Sequence, residues 1–156
     1  MLIGGVDPKT LPKEEILVIP KGEKSVVFRA RGVPDMAAFH ALVPEPKPAL
    51  RMRNGGVEAD ATSPGYQQEM VEYGRRRLAY MIIMSLEPSE ITWDTVNLDV
   101  PGTWANWEKD FIDNGLLPAD CNRILNLVME ANSLNEARIK QARELFLLGQ
   151  ELVSAK

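Results

Sequence analysis

The stretch "EILVIPKGEKSVVFRAR", residues 15–31, decides the fold class. Residues 15–20 are apolar, mostly β-branched and stopped by Pro20, a pattern that predicts a strand. "KGEK" supplies a turn in which Gly22 is free to take a positive φ, and residues 25–31 return as a second strand. In that strand Val26, Phe28 and Ala30 share one face, while Val27, Arg29 and Arg31 share the other. An isolated two-stranded hairpin is marginal in water, so this one must lie against a helix or another strand.

After the hairpin the chain reads mostly as helix, interrupted by residues 44–65 and by a short extended segment at residues 91–100. Pro34 and Asp35 favour a helix start, Met36, Phe39 and Leu42 recur at helical spacing, and Pro44 stops the pattern. Residues 44–65, "PEPKPALRMRNGGVEADATSPG", are rich in proline, glycine and small polar residues, which predicts an extended or mobile connection. Ser63 and Pro64 then open a long helix ending near Leu86, weakened near Gly74. Pro101 takes the first position of a further helix closed by Gly115, with Trp104, Trp107, Phe111 and Ile112 as its apolar face. Cys121, Ile124, Leu125 and Val128 give the next helix its inward face, and Asn132 is its expected left-handed terminator. The expected fold is α+β: residues 1–44 form a hairpin plus short helix, 45–64 a flexible Pro/Gly-rich connection, and 65–156 a mainly helical region.

The totals narrow the function classes. The chain has 156 residues, 45% hydrophobic and 26% charged, with a net charge of -4, which fits one soluble domain. That charge argues against bulk attraction to nucleic acid or anionic lipid. A single cysteine excludes an internal disulfide, and with no basic-then-apolar leader at the start a cytoplasmic, non-secreted protein is expected. The longest apolar run, residues 78–86, is too short to span a bilayer.

Residues that could carry chemistry are few. His40 is the only histidine and has no cysteine or acidic neighbour at ligand spacing. Cys121 sits at a helix start, yet on the apolar register, where a buried small hydrophobe is expected. "NGGVEAD" lacks the lysine and the strand-to-helix context of a phosphate loop. The arginines of "YGRRRLAY" spread around a helix, with Glu69 and Glu72 one turn away as partners. Glu108 and Asp110 lie on different helix faces, so they make no acid–base pair. The reading is therefore non-enzymatic, with no catalytic residue, no metal and no cofactor.

The last helix, "ANSLNEARIKQARELFLLGQ" (residues 131–150), is different. Ser133 and Glu136 have the spacing of a capping box. Leu134, Ala137, Ala142, Leu145, Gly149 and Leu152 trace one face expected to turn inward, and Ile139, Phe146 and Leu148 broaden the apolar surface beyond one stripe. Two readings stay open: these three side chains pack internally across a helical hairpin, or they bind a partner chain.

The order of these segments resembles the tail assembly chaperones, or allied tail-assembly proteins, of long-tailed double-stranded DNA bacteriophages. The resemblance rests on the β-rich start "ILVIPKGEKSVVFRARGVPDMAAF", the helix "YQQEMVEYGRRRLAYMIIMSL" and the C-terminal helical pair. It implies a protein that binds the tape measure protein, keeps its long apolar helices soluble, recruits tail tube subunits and leaves before the virion is finished. It also implies a longer frameshifted form, and no cofactor or catalytic residue. Self-association is a further expected contact. The connection at 45–64 departs from a compact chaperone core and sustains two alternatives: a small structural virion subunit of tail or head, or a small regulatory or host-interfering protein.

Overall fold

The computed structural model describes residues 1–154, with side chains through Glu151. The chain is α+β: a hairpin at the N-terminus, a second small hairpin, and a mostly helical second half. It divides into two compact units built from interleaved segments, the first from residues 1–32, 85–90 and 122 onward, the second from residues 33–84 and 91–121.

In the first unit, β1 (Glu14–Lys21) and β2 (Lys24–Arg31) pair antiparallel with Lys21 opposite Lys24. Gly22 makes the reversal at φ 66°, a backbone region that glycine enters without steric cost. Ile19, Phe28 and Ala30 are buried. Val26 shares their face but lies near the turn, where cover thins, and it is exposed. The other face carries Ile16, Val18 and Val27 in water. The Ser89 hydroxyl accepts from the Arg29 N–H and donates to the Arg29 carbonyl, each at 2.7 Å. Arg31 pairs with Glu87 at 2.7 Å, so the 3-10 turn Glu87–Ser89 closes the outer edge of β2. Because Arg29 points its backbone outward, its opposite number Ile16 does the same on the free edge of β1. Pro20 falls in the same phase, so the N–H it lacks would have faced that edge and no ladder bond is lost. Ile124, Leu127 and Val128 of α4 (Pro118–Ala131) are buried in this unit, along with Ser85 and Leu86. The Asn132 amide donates to Ser85 Oγ and to the Val128 carbonyl, both at 2.8 Å. A Cβ at Gly32 would meet the Ala131 carbonyl oxygen at 2.8 Å, so this crossing admits only glycine without a backbone shift.

The second unit holds an aromatic core. Phe39 of α1 (Ala37–Leu42) packs with Val43, with Ala79, Tyr80 and Ile83 of α2 (Pro64–Ser85), and with Trp104. The Phe39, Tyr80 and Trp104 rings lie 5.1–6.0 Å apart, centroid to centroid, in tilted pairs. Tilted contacts suit the quadrupoles better than a face-to-face stack. Trp104 Nε1–H donates to the Asn97 and Leu98 carbonyls at 3.1 and 3.2 Å, so its one polar atom is satisfied. Ser63 caps α2 by accepting the Tyr66 N–H at 3.2 Å. The helix runs through Gly74 without a break.

Two expectations for this unit fail. Residues 101–115 are not one helix: a 3-10 segment, Pro101–Asn106, precedes α3 (Trp107–Asp113), and Ile112, expected on the apolar face, is exposed. The change of helical period rotates the later residues relative to Trp104. Nor is the connection at 45–64 simply extended: β3 (Ala49–Arg53) and β4 (Gly56–Asp60) pair as a hairpin across Asn54 and Gly55. Both turn residues have positive φ, 51° and 76°. That is the type I′ turn an Asn-Gly pair favours. Leu50, Met52, Val57 and Ala59 share one face of this hairpin, all exposed, and Arg51–Asp60 and Arg53–Glu58 pair across the other.

Trp104 is 0% exposed, so Trp104→Ala should lower the unfolding free energy by about 3–5 kcal/mol. Urea denaturation followed by circular dichroism measures this. A loss under about 1 kcal/mol would mean the aromatic cluster is not the core of its unit.

Candidate partner-binding surface

The surface is made by α5 (Glu136–Ser154), in the first unit. Its direction is set by how α4 stops. Ser133 takes a left-handed conformation at φ 57°. The Ser133 N–H returns to the Glu130 carbonyl at 3.0 Å and the Leu134 N–H to the Met129 carbonyl at 2.8 Å. This is a Schellman stop made without glycine. Ser133 is therefore the terminator expected at Asn132, and it cannot also head a capping box. The cap is Asn135, whose Oδ1 accepts the Arg138 N–H at 3.2 Å.

Beyond the cap, every residue from 136 to 151 is exposed. The inward face expected from Leu134 and Leu145 does not form, since both are exposed. Leu152 lies outside the described side chains. The helix forms, but among the described residues nothing of the first unit lies over that side of it beyond its first turns. There Arg138 pairs with Glu15 at 3.2 Å and with Glu130 at 3.3 Å. A shallow cavity of about 280 Å³ opens between those acids, Ser133, Ile139 and Ala142.

The three candidate contact residues are exposed: Ile139 by 49%, Phe146 by 64% and Leu148 by 52%. They do not make one patch. At 3.6 residues per turn Phe146 lies about 20° from Ile139, whereas Leu148 lies about 180° away. The stripe around Ile139 and Phe146 also includes Ala142 and Gly149, with Leu145 on its flank, about 120° from Ile139.

Other chemistry-bearing groups take structural positions. His40 Nδ1 is 3.4 Å from the Tyr73 hydroxyl and its ring packs edge-on to Phe39. Cys121 is 1% exposed, and burial, reinforced by the charges of Glu108 and Asp120, pushes its thiol pKa up, away from a nucleophilic thiolate. Arg75 pairs with Glu72 at 3.0 Å, the solvated arrangement expected for the arginine run. No group of three or more His, Cys, Asp or Glu is placed to hold a metal ion among the described residues. No described helix is long and apolar enough to cross a membrane. In the second unit a groove of about 660 Å³, lined in part by Leu42, Pro44, Pro46 and Tyr73, adjoins the start of the chain leading to β3.

Asp110 is the buried acid that the spacing of Glu108 and Asp110 did not explain. Burial by itself raises its pKa, but the Thr95 hydroxyl at 2.6 Å and the N–H groups of Thr95, Val96 and Asp94 outweigh this and hold it below the ordinary carboxylate value. The carboxylate thus pins residues 94–96 onto α3. The chain matches no known protein-family profile, and no curated protein and no solved structure is significantly similar to it.

Since the folded-state pKa of Asp110 lies below its unfolded value, its contribution is full well above about pH 3.9 and is lost as pH falls through the folded value. Asp110→Asn should cost about 1–3 kcal/mol at pH 7 and narrow the stability difference between pH 7 and pH 3. An unchanged acid dependence in denaturant titrations would contradict this role.

Proposed function

We propose that this chain is a non-enzymatic tail assembly chaperone of long-tailed double-stranded DNA bacteriophages. It acts in the host cytoplasm, where it holds the tape measure protein soluble and brings tail tube subunits to it. The observation that carries the reading is α5: a capped helix of 19 residues that presents Ile139, Leu145 and Phe146 to solvent. A long, amphipathic tape measure helix is a partner of matching chemistry, because an apolar helical stripe is best covered by another helix laid along it. The titratable groups support the same direction, since His40, Cys121 and Asp110 each have a structural contact instead of a common cavity.

One observation favours the second reading, a small structural subunit of tail or head. The apolar face of β3–β4, with Leu50, Met52 and Val57, is exposed on an otherwise unsupported hairpin, the kind of arm that finds cover on a neighbouring subunit. Mass spectrometry of purified particles separates the two, as a chaperone is absent and a subunit is present at a fixed copy number.

Co-expression tests the chaperone reading directly. The tape measure protein of the same phage should be soluble and co-purify with the wild-type chain, and should be lost to the pellet with Ile139→Glu and Phe146→Glu while both variants keep their circular dichroism. Full solubility of the tape measure protein without this chain, or unchanged co-purification with folded variants, would refute it.

A further inference from the structure

The stripe on α5 is self-complementary. Ile139, Ala142, Phe146 and Gly149 recur at spacings of three and four residues, the a and d positions of a helix-packing seam. Large residues occupy one set of positions and small residues the other. About a two-fold axis at the level of residue 144, an antiparallel second copy sets Ile139 opposite Gly149 and Phe146 opposite Ala142, so each layer pairs a large side chain with a small one. A parallel pair would instead stack Phe146 on Phe146 and leave a gap between two Gly149 residues, which forfeits packing contacts.

Helix dipoles also favour the antiparallel arrangement. Room exists on both ends of the seam: the cavity beside Ile139 and Ala142 is open, and nothing lies within 4 Å of where a Cβ on Gly149 would stand.

We propose that α5 pairs antiparallel with α5 of a second copy of this chain, which covers Ile139, Leu145 and Phe146. The inference goes beyond the tail-assembly reading and does not depend on it, since it uses only the geometry of α5. A helix of 19 residues is about 29 Å long. Two of that length side by side bury on the order of 1,000 Å², the lower edge of specific interfaces, so the dimer dissociates on dilution.

Cysteine cross-linking tests the pairing, and buried Cys121 does not compete as a thiol. With oxidised glutathione, Leu145→Cys, next to the axis, should form a disulfide-linked dimer, and Leu148→Cys, on the far side of the helix, should stay monomeric. Mixed samples of Ile139→Cys and Gly149→Cys should cross-link several-fold more than either variant alone. Equal cross-linking at positions 145 and 148, no cross-linking at 145, or Ile139→Cys cross-linking best to itself would overturn the proposal. In sedimentation, Phe146→Glu should be monomeric at concentrations where the wild type dimerises, and a folded, dimeric Phe146→Glu would overturn it as well.

Discussion

A helix whose side chains touch little of their own chain, as those of α5 do, gains little stability from packing. Isolated helices shorter than about 12–15 residues are marginal in water even when alanine-rich, and longer ones gain only slowly because nucleation is costly. α5 has 19 residues, those from 136 to 151 all exposed, and two internal features that work against it alone, β-branched Ile139 and Gly149. Its apolar residues are therefore an unused driving force, worth about 1.5–3 kcal/mol for each large side chain fully buried. The proposed partner helix and the proposed second copy both draw on that imbalance.

The rest of the chain does not need α5. The first unit buries Ile19, Phe28, Ala30, Ile124 and Val128 and closes the edge of β2 with Ser89. The second closes around Phe39, Tyr80 and Trp104, and Asp110 fixes the loop before its last helix. Neither core takes a buried residue from positions 136–151, so the C-terminal helix stands as a surface. The left-handed stop at Ser133 and the cap at Asn135 define where that surface begins.

The first hairpin was legible because three signals agreed there: a β-branched run, a Gly-bearing two-residue turn, and alternation that put Phe28 and Ala30 on one side. The second was hidden by composition, although Asn54-Gly55 is itself a strong hairpin signal. Proline at 44, 46 and 48 made the whole stretch look extended, and its strands bury nothing that would have shown in a hydrophobic pattern. Spacing found the stripe through Ile139 and Phe146 but could not tell which side of a helix meets its own chain. That depends on tertiary placement, and so Leu145 was assigned inward and Leu148 was grouped with residues across the helix from it. Ser133 misled for a local reason: the S-x-x-E spacing recurs wherever a serine ends one helix just before another begins, and the carbonyls of Met129 and Glu130 claimed that backbone first.

Amide hydrogen exchange of residues 136–151 across a dilution series measures the central claim most directly. If α5 is a surface that another chain covers, its amides are protected at high protein concentration and lose protection on dilution, while those of residues 79–86 and 124–128 stay protected throughout. Protection of α5 that matches these core segments at every concentration, with no partner present, would contradict the account.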